Sequence, residues 1–460
     1  MPQNISRRSL LKGICGGIIT GGLSVLPWSG CRTRVRDGRV NIILITLDTT
    51  RADSLGCYGY ERDTSPFLDT FANESVLYSR ALATSSWTLP AHASLFTGKF
   101  TSSHGARYDP EGPFSLASAL DPNSDNYKKH RARTISSQEN TLAQILKDAD
   151  YLTGAVVSGP WLKKVFRLNK GFDYYADDGI NALNGKAAAE VTSQALRWLK
   201  RIGRDPFFLF LNYFDPHYPY SAPGDFCHAF LPADGRPIAT ITSPEEMRAL
   251  YDGEIRYMDY HIGQLFKNLK SLGLYDNSMI MVTADHGELF GEHGLLGHGN
   301  TLYQEELHIP LIVKYPGTEL SAGQEDSPIQ LIDILPMILN RLNMPLPQGI
   351  QGTVPPQITH PVFAEVYPLP FRDQYQGDWR ALYEGTFKFL WNSKGEGLLF
   401  NLEEDPREAV NLIDRHGKRA QSMEDNMEKL LASLPKPGPA GPPQKIDEHT
   451  RDALKGLGYL

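Results

Sequence analysis

The sequence predicts an α/β protein with a doubly wound, mostly parallel sheet flanked by helices. Four apolar runs predict the strands: VNIILITLD (40–48), PFFLFLNYFDPH (206–217), SMIMVTADHG (278–287) and HIPLIVKYPG (308–317). Unbroken apolar runs are typical of strands buried on both faces, as in parallel sheets. Helical patterns lie between them at 140–151, 188–203 and 254–273, and this alternation of strands and helices indicates a doubly wound sheet.

The C-terminal part predicts a smaller antiparallel sheet. PVFAEVY (361–367) and FKFLWN (387–392) have the composition of strands, and we assign them to a subdomain over residues 355–432. Residues 433–460 contain a Pro-rich linker followed by a terminal helix.

The main domain covers residues 40–350. A long polar insertion at 107–138 interrupts it. Long loops of this kind serve either as lids or as solvated surface, and both alternatives stay open.

The composition and charge of the chain argue against some classes of function. The chain has 460 residues, of which 41% are hydrophobic and 22% charged, a balance suited to one large domain with an appendage. The net charge is −7 and there is no basic block, so nucleic acid is not expected as a partner. The sequence gives no indication of oligomeric state.

The N-terminus contains a twin-arginine pattern, SRRSLLKG, with Arg7 and Arg8. A Gly-rich, mildly apolar run follows that is too short for a good membrane span. We therefore interpret residues 1–31 as a Tat-type export signal, which makes the Tat machinery a partner and places the protein in the periplasm or on a membrane outside the cytoplasm. The alternative is a chance basic N-terminus on a cytoplasmic protein.

Four cysteines raise two further questions. LPWSGC ends at Cys31 and resembles a bacterial lipobox, which would attach a lipid anchor, but Trp28 stands where a small aliphatic residue is usual. Lipidated and unlipidated forms both stay open. Cys57 and Cys227 fall within the predicted fold, and the sequence does not decide whether they form a disulfide.

Three of the predicted strands end in metal-ligand residues. Asp48 follows the first strand, Asp215 and His217 follow the second, and Asp285 and His286 follow the third. A single Asp at a strand end is usually a turn residue. In open α/β sheets, however, ligands bind beyond the carboxyl ends of the strands, and Asp and His together suit a divalent metal.

The stretch SSWTLPAHASLFTGKF (85–100) predicts a helix that begins near Pro90 and ends at Gly98. Thr88 would then lie among free backbone N–H groups, either as a helix cap or as a nucleophile at an anion site. In the Gly-rich stretch 287–299, His293 is best explained as a loop residue. His298 is flanked by glycines that let the backbone approach a ligand closely.

These motifs resemble the sulfatase family of the alkaline-phosphatase superfamily from about residue 40 to the C-terminus. The resemblance rests on NIILITLDTTRADSLGCYGY, TLPAHASLFTG, GFDYYADD, DPHYPY, TADHGELFGEHGLLGHGNTLYQEELHIPLIV, LIDILPMIL, LLFNLEEDPREAVNLI and LKGLGYL.

The departures from the family pattern bear on the chemistry. Sulfatases carry Cys-x-Pro-x-Arg, in which Cys or Ser becomes formylglycine, whereas this frame begins with Thr88 and ends with His92. A formylglycine is therefore not expected. His92 stands at the position of the Arg and is a further candidate catalytic residue. Asp48 is followed by Thr49 instead of a second Asp, Asp285 by His286 instead of Asn, and His298 replaces the Lys that grips sulfate.

These departures resemble the phosphodiesterase and phosphotransferase branches of the superfamily. The resemblance implies one divalent metal, zinc, manganese or calcium, held by Asp48, Thr88, Asp285 and His286. Thr88 would be the nucleophile, as a metal-activated hydroxyl.

Further residues also have expected roles. His217 or His298 would protonate the leaving oxygen. Arg51 would either stabilise the oxyanion or form a structural ion pair with Asp53. Asp215, His217 and His298 could hold a second ion, although their spacing favours one metal.

We therefore expect an exported, metal-dependent hydrolase of anionic esters. Phosphoesters are favoured over sulfate esters, because a threonyl phosphate is cleaved by metal-held water and a threonyl sulfate must be broken at sulfur. The alternatives are a sulfuric ester hydrolase proper, a transferase that passes the phospho group to an alcohol, and an inactive binding protein. The intact Asp/Thr/Asp/His set argues against the last.

Overall fold

The computed structural model describes residues 39–112, 114–115, 131–180, 185–232, 237–317, 322–368 and 377–439. The export signal with Arg7, Arg8 and Cys31, and the predicted terminal helix, lie outside these residues. The residues that the structure describes form one compact unit. In the described ranges, no helix has both the length and the apolar composition needed to cross a membrane.

The described strands and helices follow in chain order. The strands are β1 (Asn41–Leu47), β2 (Val76–Tyr78), β3 (Ala81–Leu82), β4 (Arg107–Tyr108), β5 (Phe114–Ser115), β6 (Arg131–Arg133), β7 (Leu152–Val156), β8 (Tyr174–Ala176), β9 (Phe207–Tyr213), β10 (Ser278–Ala284), β11 (Leu289–Phe290), β12 (Leu296–Gly297), β13 (His308–Ile309), β14 (Leu311–Lys314), β15 (Gly323–Glu325), β16 (Ile329–Gln330), β17 (Val362–Val366), β18 (Trp379–Glu384), β19 (Phe387–Asn392) and β20 (Gly397–Asn401). The α-helices are α1 (Pro66–Ala72), α2 (Thr88–Thr97), α3 (Thr101–His104), α4 (Leu142–Asp148), α5 (Ala188–Ile202), α6 (Pro244–Ser271), α7 (Gln304–Leu307), α8 (Ile334–Arg341) and α9 (Gly417–Ser433).

The main sheet has eight strands in the order β15-β2-β14-β10-β1-β9-β7-β8. Strands β10, β1, β9, β7 and β8 form a continuous parallel set, with β1 between β10 and β9. Every residue of β1, β9 and β10 is buried, as their apolar runs predict. The predicted doubly wound, mostly parallel sheet is confirmed.

The fourth apolar run departs from the parallel pattern. Pro310 divides it into β13 and β14, and β14 runs antiparallel to both of its neighbours, β10 and β2. Strand β13 belongs to a separate three-stranded sheet with β3 and β16. An apolar run shows that a strand is buried but not which way it runs, so the sequence could not predict this reversal.

The helices agree with the predicted patterns except at one boundary. Helix α6 begins at Pro244, ten residues before the predicted start at 254. Ser243 caps it, because its side chain accepts a hydrogen bond from the Glu246 N–H at 3.2 Å. Ser243, Pro244 and Glu246 together are a standard helix start, so this signal was present in the sequence.

The smaller antiparallel sheet near the C-terminus is confirmed. Strands β17, β18, β19 and β20 pair antiparallel in that order. Helix α9 packs on this sheet and buries Met423 and Met427 with Phe389 and Leu399. In the described part of the 107–138 insertion, β4, β6 and β5 form a small sheet of their own.

Helix α2 lies against the middle of the main sheet. It ends at Gly98, whose φ of 65° gives the left-handed conformation that terminates helices. Phe96 makes an edge-to-face contact with Phe210 of β9, with ring centroids 4.8 Å apart. All ten residues of α2 are buried, so its N-terminus is held firmly at the carboxyl end of the strands.

Candidate active site

Two carboxylates meet at the carboxyl end of the sheet. Asp48 follows β1 and Asp285 follows β10, and Leu47 and Ala284 are paired in the parallel register. Both aspartates are fully buried. Burial raises the pKa of Asp48 well above its usual range, and the negative charge of Asp285 raises it further. Burial also raises the pKa of Asp285 to about 6. Two adjacent buried carboxylates call for a positive charge between them.

Strained backbone helps to hold these carboxylates together. Thr49 has a φ of 51°, which is unfavourable for a β-branched residue. In this conformation its backbone N–H donates to Asp285 Oδ1 at 3.3 Å, and its hydroxyl donates to the Pro216 carbonyl at 2.9 Å. Thr49 therefore connects the loops that follow β1, β9 and β10.

The Nε2 atom of His286 directs its lone pair toward the Asp285 carboxylate. Its Nδ1 lies 3.0 Å from the Gly287 carbonyl, which can only accept, so Nδ1 carries the proton. Burial lowers the pKa of His286 to about 3, so the ring is neutral and Nε2 is unprotonated. Yet Nε2 lies 3.3 Å from Asp285 Oδ2 and 3.4 Å from Thr88 Oγ1.

A divalent metal fits this arrangement. Asp48 Oδ1 and Asp285 Oδ2 are buried without a hydrogen-bond partner, and Asp48, Asp285 and His286 each offer a ligand atom within 4.8 Å of the others. An unprotonated nitrogen facing a carboxylate oxygen is repulsive unless a cation lies between them. The donor set of two carboxylates and one imidazole suits zinc or manganese better than calcium.

Thr88 is the first residue of α2, and Trp87 occupies the cap position without a side-chain capping bond. The Thr88 hydroxyl is instead directed toward His286 Nε2 and is fully buried. The alternative of a simple helix cap therefore finds no support in the geometry.

The His92 side chain contacts the backbone of Thr88 and not its hydroxyl. Its Nδ1 lies 2.9 Å from the Thr88 carbonyl and 3.5 Å from Asp285 Oδ2. Its Nε2 lies 3.0 Å from Thr46 Oγ1, and the ring is fully buried. Burial lowers the pKa of His92. A neutral ring donates from Nδ1 to the carbonyl and accepts the Thr46 hydroxyl proton at Nε2.

His298 adjoins His286 and is oriented by a carboxylate that the sequence did not reveal. The two rings lie 4.5 Å apart between centroids. His298 Nδ1 lies 2.9 Å from Glu288 Oε1, and Glu288 Oε2 accepts from the Tyr220 hydroxyl at 3.2 Å. Glu288 is almost wholly buried. Its position directly after TADHG is the signal that could have identified it.

His217 completes the group of histidines. Its ring lies 5.0 Å from that of His298, and its Nδ1 is 2.6 Å from the Tyr218 carbonyl. Burial, together with His298, lowers the pKa of His217 to about 3. His217 is therefore neutral, whereas His298 has a carboxylate beside it.

Asp215 does not join the two histidines that were expected to share a second metal with it. Its Oδ1 accepts the backbone N–H of Ala188 at 2.9 Å, at the start of α5. Burial raises the pKa of Asp215 to about 7. Among the described residues, no cluster of metal-ligand atoms combines Asp215 with His217 and His298. The second ion therefore lacks its predicted carboxylate.

Arg51 is engaged as an ion pair. Its Nε and Nη2 donate to the two carboxylate oxygens of Asp53 at 2.8 and 2.7 Å. Its Nη1 donates to Glu292 Oε1 at 2.6 Å and to the Glu288 carbonyl at 3.1 Å. The structure favours the structural alternative for Arg51 over contact with the oxyanion.

His293 lies in a second cluster, with Glu305 and Glu408. The buried Lys388 already neutralises this cluster, because its Nζ lies 2.7 Å from Glu408 Oε1. His293 also stacks on Tyr303 with centroids 3.6 Å apart. The cluster is thus a polar contact between the C-terminal sheet and α7, in agreement with the loop interpretation of His293.

Cys57 and Cys227 are both free thiols, which answers the question of a disulfide between them.

The fold and the site together define an α/β enzyme whose metal-ligand side chains gather at the carboxyl edge of its main sheet. The chain belongs to the sulfatase family, since the sequence model of that family matches residues 40–344. Enzymes of this family use a divalent metal and hydrolyse ester bonds, and this chain is accordingly an ester hydrolase.

Known relatives differ in what they act on. The chain is 25% identical to an ulvan-active sulfatase from Formosa agariphila, covering 82% of this chain and 77% of that one. It is 26% identical to the multifunctional alkaline phosphatase superfamily protein PehA from Trinickia caryophylli, over 81% and 91% of the two chains. Its fold matches a phosphonate monoester hydrolase of Agrobacterium radiobacter with a TM-score of 0.64 at 19% identity, over 86% and 95% of the chains.

Proposed function

We propose that this protein is a metal-dependent phosphoester hydrolase in which the unmodified Thr88 hydroxyl is the nucleophile. One observation carries the proposal. Thr88 Oγ1 lies 3.4 Å from His286 Nε2, and His286 forms a cluster of metal-ligand atoms with Asp48 and Asp285. A hydroxyl beside such a cluster, at the N-terminus of a buried helix, has the surroundings that activate a nucleophile.

Asp48, Asp285 and His286 would hold the metal, with Thr88 Oγ1 directed at the same point. When bound, the metal supplies positive charge that favours the deprotonated Thr88 hydroxyl. The Thr88 proton passes to water, Thr88 Oγ1 attacks phosphorus, a Thr–O–P bond forms, and the bond to the leaving oxygen breaks as that oxygen takes a proton. The free N–H groups at the start of α2 stabilise the non-bridging oxygens. Water then cleaves the threonyl phosphate and restores Thr88.

His298 is the better candidate for the general acid. The leaving oxygen needs a proton, and the proton of the neutral His217 ring lies on Nδ1, which is directed to the Tyr218 carbonyl. His298 is paired through Nδ1 with the Glu288 carboxylate, which stabilises positive charge on the ring. The two histidines therefore have different roles because their surroundings differ: His298 is the acid, and His217 is a neutral group that binds the substrate.

Two features favour phosphorus over sulfur in the substrate. The frame that begins at Thr88 contains no Cys or Ser to become formylglycine, so the route by which a formylglycine hydrate expels sulfate is not open. His298 also stands in the place of the lysine that grips sulfate. The relatives include a multifunctional alkaline phosphatase superfamily protein, and a neighbouring fold is a phosphonate monoester hydrolase.

The proposal is tested with nitrophenyl esters of sulfate, phosphate, phosphate diesters and phosphonate, assayed with Zn²⁺, Mn²⁺ or Ca²⁺. We expect the highest kcat/KM on a phosphorus ester. Thr88→Ala should lower kcat by several orders of magnitude, and Thr88→Ser should retain part of it. Intact-mass measurement should show residue 88 unmodified. Near-normal turnover by Thr88→Ala, or a sulfate ester as clearly the best substrate, would contradict the proposal.

A transferase is the second candidate, and the burial of the site favours it. Thr88, Asp48, Asp285 and His286 all have zero exposed fraction, which limits access of bulk water to a threonyl phosphate. An alcohol acceptor would then take the group. Product analysis with glycerol added to the phosphoester assay separates the two, since a transferase yields mainly glycerol phosphate and a hydrolase mainly inorganic phosphate.

We further propose that the protein acts outside the cytoplasm after Tat export. The support is the twin-arginine pattern with Arg7 and Arg8. The Tat route carries folded proteins, which suits a site whose metal is inserted before export.

A further inference from the structure

We propose that Asn212, Thr46 and His92 form a relay of positioning residues that aligns the metal ligand Asp48 with the nucleophile Thr88. The inference rests on the proposed function, because it concerns the same site. None of the three relay residues needs to touch the substrate. They act through the groups whose positions they fix.

Asn212 of β9 is the fixed point of the relay. Its Oδ1 accepts the backbone N–H groups of Ser158 at 3.2 Å and Gly159 at 3.0 Å. These two donors determine which side of the amide is oxygen. The Nδ2 group must therefore point the other way, where it donates to Thr46 Oγ1 at 3.3 Å and to Asp48 Oδ2 at 3.4 Å.

Thr46 connects Asn212, through His92, to helix α2, which begins at Thr88. The Thr88 carbonyl can only accept, so His92 Nδ1, which lies 2.9 Å from it, carries the ring proton and donates to it. Nε2 of the neutral ring is then unprotonated, and the Thr46 hydroxyl, which accepts from Asn212, donates to it at 3.0 Å. Every hydrogen bond from the loop after β7 to Thr88 thus has a determined direction.

The relay matters because Asp48 and Thr88 lie on separate elements. Asn212 contacts Asp48 directly and is connected to Thr88 through Thr46 and His92. One amide group therefore fixes the positions of both Asp48 and Thr88. Asn212, Thr46 and His92 have no exposed surface, and water cannot replace a missing member. Outer partners of metal ligands are commonly worth 10- to 100-fold in metal affinity or activity.

The test compares Thr46→Val with two controls. Valine keeps the shape and strand preference of threonine but has no hydroxyl. Thr46→Ser restores the hydroxyl. Thr283→Val changes the residue paired with Thr46 on β10, whose hydroxyl donates to the Pro310 carbonyl and not to the site.

Mn²⁺ binding to the metal-free full chain is measured by calorimetry. We expect Thr46→Val to bind Mn²⁺ about tenfold more weakly, Thr46→Ser to recover most of the affinity, and Thr283→Val to bind as wild type does. In a His92→Gln background, Thr46→Val should add less than about a twofold loss, because the relay is already broken.

A second readout needs no metal. Nitrogen-15 spectra of the metal-free protein should show His92 protonated at Nδ1 and its Nε2 resonance shifted in Thr46→Val. Failure of wild type to bind Mn²⁺ would count against the proposed function, while these spectra would still test the relay. Wild-type Mn²⁺ affinity in Thr46→Val, an unchanged Nε2 resonance, or equal losses in the Thr46→Val and Thr283→Val variants would overturn the relay.

Discussion

Replacing Asp285 by Asn should make the metal-free protein more stable while abolishing its response to metal. Asp285 Oδ1 accepts from the Thr49 and His286 N–H groups, and an amide oxygen can keep both bonds. The new NH₂ group would lie 3.3 Å from the unprotonated His286 Nε2, where it can donate. The substitution also removes one of the two adjacent buried charges, which relieves Asp48.

The magnitude follows from the pKa of Asp285. A pKa raised from 3.8 to about 6 means that the folded state holds this proton more tightly than the unfolded state. The group's contribution to stability is therefore complete below about pH 4 and is lost as pH rises through 6. The loss amounts to about 3 kcal/mol at pH 8 and about half of that at pH 5. The Asp285→Asn variant does not undergo this loss of stability, because its amide group does not ionise.

Urea unfolding of chelator-treated protein at pH 8 and pH 5 measures the effect. The variant should be more stable by about 3 kcal/mol at pH 8, with a smaller gain at pH 5. Adding metal at about 100 times its Kd should stabilise wild type by about 2.7 kcal/mol and leave the variant unchanged. Asp215→Asn is the matched control, since this buried aspartate is outside the cluster and its variant should keep the full response to metal. A metal-free Asp285→Asn protein that is less stable than wild type at pH 8, or that metal still stabilises, would refute the reasoning.

Two further predictions concern the general acid and export. Glu288→Gln should lower kcat about 10- to 100-fold, and more for an alkyl phosphoester than for a nitrophenyl one, because only the poorer leaving group depends on protonation by His298; equal losses on both esters would assign Glu288 a purely structural role. Changing Arg7 and Arg8 to Lys should leave precursor in the cytoplasm, as judged by fractionation and immunoblotting, and normal export would exclude the Tat route. The mass of the mature N-terminus decides whether Cys31 carries lipid.

The sequence predicted those parts of the fold that depend on burial alone. The runs that became β1, β9 and β10 are buried along their whole length, and burial on both faces leaves an apolar signature. Strand direction leaves none, which is why the antiparallel β14 was not predicted. The early start of α6 was not predicted because its capping residues lie outside the apolar periodicity of the helix.

The residues of the candidate site were likewise predicted only in part. Asp48, Asp285, His286 and Thr88 could be predicted to meet, since each follows a strand or begins a helix at one edge of the sheet. Asp215, considered for a second ion, is not grouped with His217 and His298 among the described residues, because a strand end fixes a residue's position but not the direction of its side chain. Asn212 and Thr46 were missed since a polar residue within an apolar strand has no distinctive sequence pattern, whereas Glu288 was missed although it directly follows TADHG.

The position of β1 in the sheet has a consequence for the synthesis of the protein. This strand is made early, yet Thr46 of β1 precedes its partner Asn212 of β9 by 166 positions, and Thr49, just after β1, precedes its partner Asp285 by 236 positions. At ordinary rates of translation, roughly 10 to 30 s pass before β9 is made and roughly 10 to 50 s before the loop after β10 is made. Until β9 is made, NIILITL, an uncharged segment of strongly strand-forming residues without proline or glycine, has neither neighbour and is prone to aggregate. The nascent chain should therefore depend on ribosome-associated chaperones, and its soluble yield should rise when translation is slowed by low temperature.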